Sequence, residues 1–578
     1  MDRLRKLFEA VANGGRSSTT ASQIAEKIAE SGIDSGDFRL SETFGKLNQL
    51  GDAAISFEAF VDIVSEELLM VNRALNKQLI IPDWKDFCAD IKSIFDQVSN
   101  NKNGENADYI PILKMADSEK WGLAICTVDG QRMGLGDVDI YHSIQSVSKP
   151  LTYAYALAKE GVAFTHQFVG VEPSGRPFNA LDLLPDKRPF NPCVNAGAIL
   201  TAGLVASSMP EDDARTITGL IMELWSGLCG AIAPVRFSEE TMLSERETAD
   251  NNYAIAYRLK AQKGLPRGVD LYKMMDIYLS CCSIEMTAKM LSVAAATLAN
   301  GGVCPITGEQ ILSTEIVKKT LAIMQTTGMY DNAGGFTLEV GLPAKLGVAG
   351  AVMVVVPNLM GFATFSPRLD SYGNSVRGVA FCRELVDRYT FHIYDNLSGG
   401  RTGCKRDPRE SQSNRKKRDL SDLQWGAQNG DLYANKVKEL SVDCMISICI
   451  ADGEIEDAEI QSITDAYAEI MGQPADHSLI TRLESLGRGQ GEQSQAANST
   501  VLDQLVGRLE TERLYLDDMG REIILESAFR VACSDGMIEE SEQRRLRAIA
   551  DALQISEGVL ELEIAGFQRK VAALSPPS

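Results

Sequence analysis

The sequence predicts an α+β protein in three parts, and three observations carry that expectation. Strand patterning appears at two places far apart in the chain, around residues 125–128 and within 336–365, with long helical patterns between them. One sheet must therefore be closed by distant segments. Both flanks read as helical throughout, and after residue 397 the composition turns to Gly, Ser, Asn and basic residues, as a linker does. The resulting divisions are a helical region at 1–77, an α+β block at 78–396, a basic and polar linker at 397–428 and an all-α domain at 429–578.

The first region reads as four helices, near 4–11, 21–31, 41–50 and 57–75, separated by Gly- and Asp-rich breaks. Residues 48–60 have the outline of an EF-hand loop entering its second helix. Calcium would need oxygen ligands at loop positions one, three and five, glycine at six and glutamate at twelve. Asn48, Leu50, Asp52, Ala53 and Ala59 stand there, so an EF-hand-like pair without calcium ligands is expected.

In the block, Ile125-Cys126-Thr127-Val128 followed by Asp129-Gly130 signals a hairpin. Tyr141-His142-Ser143 lead into an expected helix around Ser146-Val147-Ser148-Lys149, with Pro150 in its first turn and Gly161 as its stop. The apolar run 347–365 is cut by Pro357-Asn358 and is β-branched at 352–356, so it reads as two buried strands and a turn, not a membrane span. Strand-rich sequence is expected over 336–365 and again at 376–381.

In the linker, Arg415-Lys416-Lys417-Arg418 reads as a solvated basic run. The last domain contains a repeat: residues 446–455 with Glu459 are echoed, 83 positions on, by 529–538 with Glu542. Each copy is an apolar helix, an Asp-Gly turn and an acidic helix start, which suits a pseudo-symmetric helical bundle. Ile448 and Ile450, or Val531 and Cys533, occupy the places where a metal-binding loop would need oxygen, and 487–499 reads as a loop between the copies.

A formal charge of −22 argues against nucleic acid or an anionic membrane as partner. The twelve cysteines form no repeated C-x-x-C pairs, which suits buried thiols in a reducing, cytoplasmic setting; no secretory signal is expected at the start. Only four histidines occur, His142, His166, His392 and His477, none in a metal-binding array. A Ser-His-Asp triad would have to recruit one of the first three. That scarcity favours a base other than histidine.

Ser146-x-x-Lys149 supplies one. Residues three apart share a helix face, so a hydroxyl and an amine meet there. A helix N-terminus stabilises a developing alkoxide and disfavours a protonated lysine. The pair can therefore work as nucleophile and base.

Around this pair, the chain over 78–395 resembles the serine-dependent glutaminases, especially the kidney-type form of animals. The resemblance rests on ordered blocks: Ala107-Asp108-Tyr109-Ile110-Pro111, Gln145-Ser146-Val147-Ser148-Lys149-Pro150, Asn191-Pro192-Cys193-Val194-Asn195, Ser244-Glu245-Arg246-Glu247, Cys282-Ser283-Ile284-Glu285, Gly328-Met329-Tyr330-Asp331 and Lys345-Leu346-Gly347-Val348. It implies the fold of serine β-lactamases and penicillin-binding proteins, and hydrolysis of L-glutamine through a serine acyl-enzyme with no cofactor. The N-terminal helices resemble the EF-hand-like region of kidney-type relatives. The C-terminal repeat is instead similar to tellurite-resistance TerB-like domains.

By the same resemblance Ser146 is the nucleophile, Lys149 its base, and Tyr278 and Tyr330 the phenols at the centre. The backbone N–H groups of Ser146 and Val348 form the oxyanion hole, Glu245 meets the substrate ammonium, and Tyr109, Gln145, Asn195 and Asn252 surround the amino-acid head group. Lys345 takes the place of the lysine in the family's Lys-Ser/Thr-Gly box. Leu346 departs from the small hydroxyl residue expected beside it. Kidney-type relatives form tetramers and filaments and respond to phosphate, so a homo-oligomer is implied, with an anion-responsive segment at 172–189 carrying Arg176, Lys187 and Arg188. A penicillin-recognising acyl-transferase and a non-catalytic scaffold with a decayed site are the rival readings.

Overall fold

The computed structural model describes residues 2–12, 19–395, 405–411, 424, 432–451, 457–471, 474–475, 479–481, 494–516, 518–533, 537–555, 560–561 and 564–565. Contacts divide the chain into two units, Met1–Gly400 with Lys405–Glu410, and Arg401–Cys404 with Ser411–Ser578.

The first unit begins with helices Asp2–Val11, Ala21–Glu30, Ser41–Leu50, Phe57–Val64 and Leu68–Leu75. Strand β1 (Thr19–Thr20) pairs antiparallel with β2 (Ala54–Ile55), joining the two helix-loop-helix halves. Thr20 starts the second helix with a capping box to Gln23, and Ser56 caps the fourth. The single helix expected over 57–75 is broken in two. Glu67 starts the second of these helices, its carbonyl accepting the Met70 and Val71 N–H groups, while its carboxylate accepts the N–H groups of Glu42 and Thr43 at 3.2 and 2.9 Å at the start of a neighbouring helix.

A polar seam joins this region to the hairpin of β3 (Gly122–Thr127) and β4 (Arg132–Gly136). Asp37 takes hydrogen bonds from Arg39 and Arg132, while Arg39 also donates to the carbonyls of Asp129 and Pro305. Gln131 donates to Ser31 and Ile81 carbonyls across the same seam. The hairpin turn needs Gly130, whose φ is +88°.

The main sheet is antiparallel, in the order β4-β3-β10-β9-β8, with β8 at Ala344–Leu346, β9 at Ala351–Val356 and β10 at Met360–Phe365. Its closure by β3 against β10 joins the two distant segments. Side chains alternate: Ala351, Met353 and Val355 enter one core, Val352, Val354 and Val356 the other. Burial on both faces explains the continuous apolar run. Helix Ala288–Ala299 packs so closely on one face that a Cβ at Gly361 would lie 2.1 Å from the Ala296 nitrogen. Helices Trp84–Ser99 and Val376–Arg388 contribute to the other core.

Two strand expectations are corrected here. Phe336 lies in helix Ala333–Glu339, and 376–381 begin the helix Val376–Arg388, which Ser375 caps through the Gly378 N–H. Val379, Cys382 and Val386 recur at helical spacing on the buried face, a period the β-branched start of the segment hid. Residues 405–410, expected within the linker, belong to the first unit: Arg406 bridges to Tyr389 and pairs with Asp90. The basic run 415–418 lies outside the described residues.

In the second unit, helix Leu432–Cys449 packs on Asp518–Ala532, the helices that carry the two copies of the repeat. Buried Arg545, on helix Glu540–Ala552, donates to the Ser447 and Ile450 carbonyls at the end of the first. Both Asp-Gly turns and residues 487–493 lie outside the described residues. Residues 494–499, expected as loop, begin the helix Ser494–Glu512.

Candidate active site

A second, three-stranded sheet, β5-β7-β6, places Ser146. Its strands are β5 (His142–Ser143), β6 (Arg236–Phe237) and β7 (Ile284–Met286). The helical reading of Tyr141-His142-Ser143 is therefore corrected. β5 pairs with β7, and the Ile144 N–H donates to the Ile284 carbonyl at 2.8 Å, holding the chain extended up to the turn. Gln145–Val147 then form a 3-10 turn that passes into helix Ser148–Glu160, closed by Gly161 with φ +80°. Ser146 thus stands one turn ahead of the helix proper. Gln145 and Tyr330 both hold φ near +50°, at 48° and 51°, a strained backbone that non-glycine residues adopt at a cost of about 1–3 kcal/mol.

Opposite the turn, β8 delivers Lys345 and the loop that follows delivers Val348. A Cβ on Gly347 would lie 2.3 Å from the Ile144 carbonyl, so only glycine lets this loop approach the Ser146 turn. Neither the Ser146 nor the Val348 N–H meets a backbone acceptor among the described residues. The Leu346 side chain points the other way, fully buried in the core that contains Val352 and Val354, while its carbonyl accepts Lys345 Nζ at 2.7 Å. Strand alternation thus removes that side chain from the site.

Lys149 is 2% exposed, and its Nζ donates to Asn195 Oδ1 at 2.6 Å, not to Ser146. Asn195 in turn donates to Asn252 Oδ1 at 2.8 Å. Burial pushes the Lys149 amine below its ordinary value. Burial also brings Lys345 down to about 7, with the neighbouring Lys149 charge adding to the effect. Lys345 Nζ lies 4.4 Å from the centre of the Tyr330 ring, and the Tyr330 ring packs on Phe178 at 4.5 Å. The Tyr330 hydroxyl is buried beside Ser146 without a well-aligned hydrogen-bond partner.

Glu245 comes from helix Glu239–Glu247. It is buried, accepts Gln145 Nε2 at 3.1 Å, and burial lifts its carboxyl to about 7 against the opposing pull of Gln145 and Lys149. Burial raises the phenols of Tyr278 and Tyr109 well above the usual value, and both feel the Glu245 charge. The Tyr109 residue is nearly half exposed at 48%, so its ring lines the mouth while its hydroxyl faces inward. Of the residues singled out from the sequence, Ser146, Lys149, Gln145, Asn195, Glu245, Tyr278, Tyr330 and Lys345 therefore fall in one buried cluster, with Tyr109 and Asn252 at its rim.

Three members of the cluster carried no role in that reading. Phe178 lies under Lys149 and Tyr330, and the Cys193 and Cys282 thiols sit close enough to act on both lysines. Cys193 and Cys282 were visible only as parts of longer blocks; Phe178 gave no sequence signal. The three described histidines are engaged elsewhere: His142 stacks on Phe365 at 3.9 Å, His166 bonds Tyr153 and His392 bonds the Thr337 carbonyl; His477 lies outside the described residues. A cavity of about 620 Å³ lined by Glu105, Leu369, Asp370 and Arg383 shares no residue with the cluster.

Residues 104–394 match the glutaminase family, and residues 5–82 match an EF-hand domain family. The chain belongs to the glutaminase family. It is 37% identical over 465 residues to the mitochondrial liver-isoform glutaminase of Mus musculus, covering 78% of this chain and 76% of that one. It is 42% identical over 386 residues to putative glutaminase 3 of Caenorhabditis elegans, covering 66% and 64%. Glutaminase 2 of Clostridium perfringens is 38% identical, and its match takes up 51% of this chain but 97% of that protein. This chain is an amidohydrolase that converts L-glutamine and water to L-glutamate and ammonia. Among the described residues no helix is long and apolar enough to cross a membrane.

Proposed function

We propose that the glutaminase reaction runs through Ser146 as nucleophile and Lys149 as its base. One observation carries this reading: Lys149 is buried next to the nucleophile turn, and its hydrogen-bond partner is the neutral Asn195 amide, so no ion pair holds it protonated. The Ser146 proton passes to Lys149 as Oγ attacks the side-chain amide carbon of glutamine. The oxyanion is met by the N–H groups of Ser146 and Val348; losing one such donor typically costs about 10²-fold in rate. Lys149, through the Tyr330 hydroxyl, returns the proton to the departing nitrogen, the C–N bond breaks, and a γ-glutamyl ester remains. A water that gives its proton to Lys149 then cleaves the ester and restores Ser146. The scheme uses no metal or organic cofactor, and it assigns the block the serine β-lactamase and penicillin-binding-protein arrangement.

Glutamine binds as a zwitterion. Glu245 meets its ammonium, Asn195, Asn252 and Tyr109 surround the head group with Tyr278, and Gln145 orients Glu245. The test is glutamate release by wild type, Ser146→Ala and Lys149→Ala, with asparagine as control, together with mass mapping of the adduct left by the diazo-ketone 6-diazo-5-oxo-L-norleucine. Adduct on any residue other than Ser146 refutes the scheme.

We also read the chain as an EF-hand-like region at 1–77, a catalytic block at 78–396, a linker at 397–428 and a TerB-like domain at 429–578; the packing of the two repeat helices supports the last. A tetramer or filament in a cytoplasmic, reducing compartment fits the family resemblance and the free thiols. Phosphate is the proposed activator at 172–189. Arg176 and Arg188 there face Asp182 and Asp186, so phosphate would act by displacing a carboxylate. A rate unchanged across phosphate concentrations removes it.

A further inference from the structure

We infer that Tyr153 and His166 form a positioning pair that sets the place of Lys149, an inference that rests on the serine-lysine reading above. Tyr153 stands four residues after Lys149 on helix Ser148–Glu160, so the two lie on the same face of that helix one turn apart. Both are buried, at 1% and 2% exposure. Among the described residues the Tyr153 hydroxyl has one hydrogen-bond partner, His166 Nε2, at 3.0 Å.

The histidine tautomer follows from its other contact. His166 Nδ1 lies 3.0 Å from the Val169 carbonyl, which can only accept, so Nδ1 carries a hydrogen. In the neutral ring Nε2 is then an acceptor and Tyr153 donates to it. The phenol hydrogen is committed away from the site, and the ring cannot turn without leaving a buried hydroxyl unpaired. Arg188 secures the anchor by donating to the His166 carbonyl at 2.5 Å while Asp186 holds its Nε at 2.8 Å.

On its other side Tyr153 packs with Cys193 in a small apolar cluster. Cys193 lies in the turn whose N–H groups bind Asn191 Oδ1 and which leads into Asn195, the residue that holds Lys149 Nζ. Tyr153 is thus packed against the turn that carries the amide partner of Lys149. Its hydrogen bond to His166 holds that ring in one rotamer. The chain from Asp186 through Arg188, His166 and Tyr153 ties the 172–189 segment to the base.

The test compares Tyr153→Phe, His166→Leu, His166→Gln and the Tyr153→Phe/His166→Leu double variant in the full chain. Each is assayed for kcat, KM and the rate at which 6-diazo-5-oxo-L-norleucine labels Ser146, scaled to the folded fraction. Tyr153→Phe and His166→Leu should each lower kcat and slow labelling on the order of tenfold, with KM within about twofold, because they misplace the base and not the substrate. The double variant should fall no further than the lower single, as coupled residues do. His166→Gln, whose carboxamide oxygen replaces the Nε2 acceptor, should recover most of the loss. Additive losses, a KM effect with kcat unchanged, or no difference between His166→Gln and His166→Leu would overturn the pair. Ser146→Ala runs alongside: turnover persisting there sinks the serine-lysine reading itself, whereas an inactive Ser146→Ala beside a wild-type-like Tyr153→Phe sinks only the positioning pair.

Discussion

Two regions of the first unit bury charge, and they treat it in opposite ways. At the seam with the N-terminal helices, burial alone would raise the Asp37 carboxyl, yet the Arg39 and Arg132 guanidinium groups overturn that and hold it below the ordinary carboxylate value. In the site, Lys149 rests on a neutral amide, Lys345 on a backbone carbonyl, and Glu245 on the Gln145 amide. Burial wins there and moves all three toward their neutral forms. A buried charge with ionic partners holds structure together; one offered only neutral partners is poised to exchange a proton.

The sharpest way to break this contrast is at the site. Ser146→Ala or Lys149→Ala should lower kcat by at least about 10³-fold, read as glutamate release, with the melting temperature nearly unmoved, since the role proposed for both is chemical. Glu245→Gln comes next. It keeps the shape but removes the anion for the substrate ammonium, and KM should rise on the order of 10²-fold, about 3 kcal/mol, with a smaller change in kcat.

The pH dependence sharpens the same point. Glu245 gains a proton as pH falls through about 7 in the free enzyme, so kcat/KM should drop below that pH. The bound ammonium favours the carboxylate, so the corresponding limb in kcat should lie at lower pH. A kcat/KM profile flat from pH 6 to 8 would contradict the buried, ion-pair-free setting of Glu245.

At the seam the expected effect is on stability and not on turnover. Asp37→Asn leaves two guanidinium groups without their anion and should cost about 3 kcal/mol, seen as a lower melting temperature, with kcat within about twofold. Asp37's folded value lies below its unfolded one, so its stabilisation is present at neutral pH and is lost as pH falls below the ordinary 3.8 toward its depressed native value. The smallest functional effect is expected for Leu346→Ser. The new hydroxyl faces the far core, so kcat should stay within about threefold while stability falls by about 2–4 kcal/mol.

Much of this was legible from residue order. The hairpin at Asp129-Gly130, the paired strands around Pro357-Asn358, the Gly161 stop and the Ser146-x-x-Lys149 spacing are local signals, each set by a turn residue or a period that neighbours cannot easily override. Misreadings came where a partner elsewhere in the chain decided. The expected single helix over 57–75 broke where Glu67 turns its carboxylate to cap a neighbouring helix, β7 pulled His142-Ser143 into a strand, and residues 405–410 folded back onto Tyr389. Phe178 was invisible because its role is a ring contact with residues far from it in sequence.

By itself, then, the order of residues determined the α+β class and the family and put forward Ser146 and Lys149 as the reactive pair, because those depend on short spacings and side-chain chemistry. Only the tertiary structure decided which groups are charged and where they point. Protonation follows from how completely distant segments exclude water around Lys149, Lys345 and Glu245, and the orientation of Leu346 follows from which strand β8 pairs with.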